Sequence, residues 1–263
     1  MQSIYQVLSE LEKNNSSAAL CTVIRSEGST PRHVGSKMLV YPDGKFVGTV
    51  GGGELESRVI KAALETISTG KAQNLSYTMA DPARGDPGVC GGTVEVFVEP
   101  ILPSPTIVVI GGGHVGKAVV HLAKWLGFRV AVSDDRAEFC NPESVPGADA
   151  YYPVSMAELP NQLNVTPQTY LVVTSRGSGV DAAGLPPLLE SEAAYIGVIG
   201  SKRRWLTTVK ALKEKNVPEE QIARVHSPMG LELNAETPEE IAVSIMAEIL
   251  MLRDRGSGKQ MKD

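Results

Sequence analysis

Ile107-Val-Val-Ile-Gly-Gly-Gly-His-Val-Gly116 runs from four β-branched apolar residues straight into a glycine turn. Such an apolar run suits a strand buried on both faces, and a Gly-x-Gly-x-x-Gly spacing between strand and helix has a physical meaning. Gly111 permits a tight turn, Gly113 lets backbone N–H groups approach a phosphate at the helix N-terminus, and Gly116 allows helix to pack closely on strand. Asp134 ends the next strand about twenty residues on, where a carboxylate accepts hydrogen bonds from ribose hydroxyls and disfavours a 2′-phosphate. His114 invites an acid or base role beside the phosphate, but no partner carboxylate lies near it in sequence, so a solvent-facing residue at a helix start is the simpler reading. A turn inherited with the fold, its ligand lost, is the competing reading of the whole segment.

Downstream, Arg129 to Ser133, Tyr170 to Thr174 and Tyr195 to Ile199 are further β-rich runs separated by helical segments. This alternation predicts an α/β fold, a Rossmann-type parallel sheet with helices on both faces, over residues 106–255. Ser201 and Lys202 follow the strand ending at Ile199, on the carboxyl edge where open α/β sheets bind ligands. Thr237-Pro-Glu-Glu240 predicts an N-cap, a first-turn proline and a capping box for a last helix reaching about Arg253. Residues 256–263 read as a polar tail.

Upstream, Pro100, Pro103 and Pro105 mark a stiff connector, placed at residues 101–105. Residues 1–100 predict a smaller α+β domain. Its helix spans Ser3 to Lys13, a buried strand spans Ala18 to Ile24, and Pro42-Asp-Gly44 forms a hairpin between Lys37–Tyr41 and Lys45–Val50. A helix from about Glu54 to Ser68 and strands at Gln73–Thr78 and Gly92–Glu99 complete it. Gly51-Gly-Gly53-Glu-Leu-Glu56 is a second strand, glycine turn and helix start, here with acids that would repel phosphate. Glu56 suits the helix dipole. Glu54, beside the bare Gly52 and Gly53, could pair two N–H groups of a pterin or guanine edge. Cys90 sits in a glycine-bounded loop, which makes its thiol accessible, whereas Cys21 lies in an apolar run and reads as a small core residue. Arg25, Arg32 and Lys37 surround Glu27-Gly-Ser-Thr-Pro31, a loop able to receive anionic groups.

The chain has 263 residues, 42% hydrophobic and 21% charged, with a net charge of −5. No basic excess is available to neutralise a nucleic-acid backbone. No signal-peptide pattern or membrane-length apolar run is present, so a cytoplasmic location and no membrane partner are expected. With three cysteines and no Cys-x-x-Cys pair, neither a disulfide framework nor a structural zinc is expected.

Taken in order, Glu27 to Pro31, Gly51 to Glu56, Cys90-Gly-Gly92, Gly111 to Gly116, Asp134-Asp-Arg136, Tyr195 to Lys202 and Ser227 to Ser244 resemble the xanthine dehydrogenase accessory family, XdhC/CoxI. The last segment, Ser227-Pro-Met-Gly-Leu running into Thr237-Pro-Glu-Glu-Ile-Ala242, is the most specific. The resemblance implies a maturation chaperone rather than a catalyst of turnover. Such a protein binds molybdenum cofactor (molybdopterin), protects it while its sulfido ligand is installed, and delivers it to a molybdenum hydroxylase such as xanthine dehydrogenase. The phosphate would dock at Gly111 to Gly116, and Cys90 would stand near the molybdenum. A cysteine desulfurase and a second copy of the chain are the other partners implied. Two departures stand out: Gly53 replaces a cysteine common in the family's first glycine turn, and Ser178 replaces the histidine of an Arg-Gly-His motif after the third Rossmann strand. The alternative reading is an NAD-dependent oxidoreductase using the same turn, and a nucleotide-sensing module is a third.

Overall fold

The computed structural model describes residues 3–79 and 91–262, and the chain divides into two compact units, residues 1–103 and 104–263. In the first unit, α1 (Ile4–Lys13), β1 (Ala18–Glu27), β2 (Lys37–Val40), β3 (Phe46–Gly48), α2 (Gly53–Thr69), β4 (Gln73–Thr78) and β5 (Thr93–Ile101) follow in chain order. Their antiparallel sheet has the order β3-β2-β1-β5-β4. Its strands alternate inward and outward side chains, so one face packs Val23, Met38, Val94 and Val96 against Leu55, Val59 and Ala63 of α2. The hairpin forms at Asp43-Gly44 as expected, with Gly44 at φ +81° and the Tyr41 N–H donating to the Lys45 carbonyl at 2.8 Å.

One boundary differs from expectation. β5 continues through Pro100, which faces Ala19 of β1, whereas pairing with β4 ends at Val98. A proline is tolerated there because no strand lies on its other side. The connector thus begins after Ile101.

The second unit contains β6 (Thr106–Ile110), α3 (His114–Trp125), β7 (Arg129–Ser133), β8 (Ala150–Tyr152), β9 (Thr169–Val173), α4 (Ser178–Leu189), β10 (Tyr195–Val198), α5 (Lys202–Glu214), α6 (Glu219–Ala223), β11 (Val225–His226) and α7 (Pro238–Arg253). All six strands are parallel, in the order β11-β10-β9-β6-β7-β8. This is the doubly wound Rossmann arrangement, with the strand order reversing beside β6. Both faces of the sheet are covered. Ile107, Val109 and Val172 pack toward α3 and α7, while Val108, Leu171 and Ile196 pack toward Leu185, Leu188 and Leu212 of α4 and α5. The capping box at Thr237 is formed: the Glu240 N–H donates to Thr237 Oγ1 at 3.2 Å, and the Thr237 N–H donates to Glu240 Oε2 at 3.1 Å. Strands β8 and β11 escape a sequence reading because they are three and two residues long. Among the described residues, no helix is long and apolar enough to cross a membrane.

Candidate functional site

The glycine turn lies at the carboxyl end of β6, and each glycine meets a different demand. Gly111 has φ +117° and leaves no room beside Thr174. A Cβ on Gly112 would overlap the Phe139 carbonyl, and one on Gly116 would overlap the carbonyl of Gly111. Gly113 is different: its backbone is extended at φ −74°, and an added Cβ would meet nothing within 4 Å. Fold therefore dictates three of these glycines, whereas Gly113 opens onto the crevice at the start of α3, whose first N–H groups have no intrahelical acceptor.

Thr174, at the end of β9, steadies the turn by donating from Oγ1 to the Gly111 carbonyl at 2.8 Å. Behind it, the fully buried Asp181 of α4 binds Ser175 Oγ and accepts from Arg204 Nε at 3.0 Å and Arg204 Nη2 at 2.8 Å. Arg204 also donates to the Ser175 carbonyl at 3.2 Å. This Ser175–Asp181–Arg204 cluster joins three elements and was not apparent from the sequence.

Two cavities flank the turn. One, of about 350 Å³, is walled by Ile110, Val154, Met156, Val180 and Ala183, with Asp135 and Arg176 also in its lining. The other, of about 400 Å³, is lined by Gly113, His114, Gly116, Ser175, Gly200 and Arg204. His114 is exposed at the start of α3, as its position suggests.

Asp134 does not play the part its position suggests. It is 6% exposed, and its carboxylate accepts four hydrogen bonds. They come from the N–H of Gly112 (3.0 Å) and from the backbone N–H (3.0 Å), Nε (2.9 Å) and Nη2 (2.9 Å) of Arg136. A carboxylate offers about four acceptor sites, so none is left for a ribose. Asp134 instead ties the glycine turn to β7, while the Arg136 guanidinium lies 3.9 Å over the Phe139 ring. Burial pushes the Asp134 pKa up, but the bonds from Arg136 and Gly112 outweigh it and hold the carboxyl below its ordinary value. The stability this carboxyl contributes is therefore complete above its unfolded pKa of about 3.9 and is lost as pH falls through the lower folded value. The second unit should weaken below about pH 4, and Asp134→Asn should remove part of that slope. Urea titrations at about pH 5 and pH 3 check this, and identical slopes in both proteins would contradict it.

Ser201 is the N-cap of α5 and accepts from the Arg204 N–H at 3.2 Å. Lys202 is exposed beside it, and the second cavity is lined by their neighbours Gly200 and Arg204 instead.

In the first unit, three of the glycine-bearing segments come together. A Cβ on Gly92 would overlap the carbonyls of Glu27 and Ser29, and one on Gly51 would sit 2.8 Å from Pro31 Cγ. Gly52 and Gly53 both have positive φ and face open space. Glu54 is engaged with Arg58 one helical turn on, at 3.0 Å, and Glu56 accepts from Thr49 Oγ1 at 2.5 Å. Arg25 is paired with Glu27 and Glu95. Cys21 is fully buried, and burial pushes its thiol up to about 12. Cys140 is buried too. Cys90 lies outside the described residues.

The pattern matches known proteins across both units. Residues 107–249 match the XdhC Rossmann domain, and residues 11–78 match the XdhC and CoxI family. The chain belongs to the XdhC/CoxI family. It is 36% identical over 264 residues to YqeB of Escherichia coli K12, a protein described as uncharacterised, covering 98% of this chain and 48% of that one. It is 32% identical over 163 residues to a protein of Bacillus subtilis 168 described as a probable subunit of xanthine dehydrogenase, covering 62% and 47%. It is 20% identical over 270 residues to the molybdenum cofactor insertion chaperone PaoD of Escherichia coli K12, covering 90% and 83%. The chain thus spans about half the length of the first two relatives. A crystal structure described as a xanthine dehydrogenase from Bacillus halodurans shares the fold, with a TM-score of 0.51 at 23% identity over 99% of this chain and 98% of that one.

In this XdhC/CoxI chain the segment Ser227 to Ser244 is a structural tie. Glu248 of α7 accepts from Tyr195 Oη at 2.5 Å and from the Gly230 N–H at 2.8 Å, and lies 3.3 Å from His226 Nδ1. Ser244 Oγ donates to the Leu231 carbonyl at 2.5 Å. Burial raises the Glu248 pKa, but the bonds from His226, Tyr195 and Gly230 prevail and lower it overall. Burial and the same carboxylate push the Tyr195 hydroxyl above its ordinary range.

Proposed function

We propose that this chain binds molybdenum cofactor through the Gly111 to Gly116 turn and delivers it to a xanthine dehydrogenase-type molybdenum hydroxylase. The observation that carries the reading is the open space at Gly113. The space in front of Gly113 is open, so a phosphate can approach the N–H groups at the start of α3 there without meeting a side chain. Membership of XdhC/CoxI and the similarity to PaoD support molybdenum cofactor as the cargo. The protein's part is to hold a labile group: Gly113 and its neighbouring N–H groups would fix the phosphate, and Thr174 holds the turn in shape. A cysteine desulfurase supplying sulfur, and a second copy of the chain, remain proposed partners.

Cys90 is the candidate thiol for the molybdenum end, and Gly52, Gly53 and Glu54 remain candidates for contact with the pterin. The test compares Cys90→Ala with Cys140→Ala, by metal analysis of the purified proteins and by reconstitution of an apo molybdenum hydroxylase. Cys90→Ala should retain or transfer less cofactor, whereas Cys140→Ala, which removes a buried thiol bonded to the Val132 carbonyl, should change neither. Wild-type loading and transfer by Cys90→Ala would remove the thiol from the mechanism.

A further inference from the structure

Arg204 is held along one edge of its guanidinium and unused along the other. Its Nε and Nη2 donate to the fully buried Asp181 and to Ser175, whereas Nη1 donates to no acceptor among the described residues. The side chain is 21% exposed, and it lines the cavity of about 400 Å³ that Gly113, His114 and Gly116 also line. Its neighbours keep it there. Gly200, at φ +133°, has no Cβ, and an added one would sit 2.7 Å from Arg204 Cδ. Ser201 caps the helix by accepting the Arg204 N–H. A guanidinium clamped by a buried carboxylate points its remaining N–H groups in one direction, so little freedom is lost when they meet a ligand. An ion pair with Asp181 alone would use only the Nε and Nη2 edge. The first turn of α5 is Lys202, Arg203 and Arg204 with no acid, although cations are the unfavourable sign at the positive end of a helix. An anion in the cavity supplies the missing partner to both the free edge and the basic turn.

We propose that Arg204 is a side-chain ligand of the anion at the glycine turn, so that its Nη1 N–H groups and the N–H groups at the start of α3 hold one phosphate from two sides. The class of ligand is a phosphate ester or a diphosphate, because a planar fork of donors matches the oxygens of a tetrahedral oxyanion. The inference rests on the phosphate site of the preceding section and deepens it by naming a second arm.

Calorimetry of the full chain with inorganic phosphate and with pyrophosphate tests the proposal. At least one of the two should bind the wild type. Arg204→Lys keeps the charge and a partner for Asp181 but loses Nη1, and should bind that anion about tenfold more weakly, the loss of one hydrogen bond to a charged group. Arg203→Gln removes a full charge from the adjoining exposed position, outside the cavity lining, and should change affinity by less than about threefold. Gly113→Val should lose binding as well. Should urea titration show Arg204→Lys to be unfolded, wild-type protein is instead footprinted with phenylglyoxal, which modifies guanidinium groups. The bound anion at about ten times its Kd should then slow modification of Arg204 about tenfold, the fraction left free, and leave Arg203 unchanged. Unchanged affinity in Arg204→Lys, a larger loss in Arg203→Gln than in Arg204→Lys, or no protection of Arg204 would overturn the assignment. If Gly113→Val alone weakens binding, the phosphate reading of the turn stands and the second arm falls. If Arg204→Lys weakens binding and Gly113→Val does not, Arg204 keeps its anion and the phosphate reading of the turn falls. Binding of neither anion by the wild type overturns both.

Discussion

Gly113→Val should separate binding from folding in this chain. Its backbone conformation is open to any residue and its added Cβ meets nothing. The cost to stability should therefore stay below about 1 kcal/mol, the scale of a weaker helix N-cap. Binding of the phosphate ligand should fall on the order of a hundredfold, because the side chain displaces the ligand from about two charge-assisted N–H contacts. Gly116→Val should do the reverse of separating them. Its Cβ overlaps the Gly111 carbonyl, so helix and turn must part, at about 3 kcal/mol of stability together with loss of binding. Calorimetry and urea unfolding of the two variants decide this. Full affinity in a folded Gly113→Val protein would mean that the turn is a relic of the fold.

Asp181→Ala carries the largest expected loss of stability. Asp181 is fully buried and is the carboxylate against which Arg204, itself 21% exposed, is paired. Removing it leaves a largely buried guanidinium without its counter-charge, at a cost of about 3–5 kcal/mol, discounted toward the lower figure by the solvent that reaches Arg204. Adding Arg204→Leu should recover part of the loss, because the uncompensated charge is then gone. The chain's two tryptophans, Trp125 and Trp205, both lie in the second unit, so fluorescence-detected urea unfolding reports on that unit. A single-variant loss under about 1 kcal/mol would contradict this role of the cluster.

Local chemistry made much of this structure legible. The glycine turn, the Asp-Gly hairpin and the Thr237 capping box each place their whole signal within a few residues, and each formed where expected. Four apolar runs sufficed to read the parallel sheet, but Ala150–Tyr152 and Val225–His226 are strands only because β7 and β10 are there to pair with. The site was legible in its centre and not in its supports. Ser175, Asp181 and Arg204 are brought together across 29 residues by the packing of α4 and α5, for which no spacing rule exists. Two adjacent acids, Asp134 and Asp135, look equivalent in sequence. Only the fold shows one sealed by Arg136 and the other at the crevice. The Glu54–Arg58 pair was legible in the sequence, since Arg58 stands four residues on, where opposite charges on a helix meet.

The two readings of the turn, molybdenum cofactor or NAD, differ in what the protein carries when it is purified from cells. Native mass spectrometry of the intact chain, expressed with molybdate and purified without added ligand, asks this directly. The expected result is a retained mass that includes a pterin and is lost in Gly113→Val. A chain that carries NAD, or whose pterin mass survives Gly113→Val unchanged, would contradict molybdenum cofactor binding at the turn.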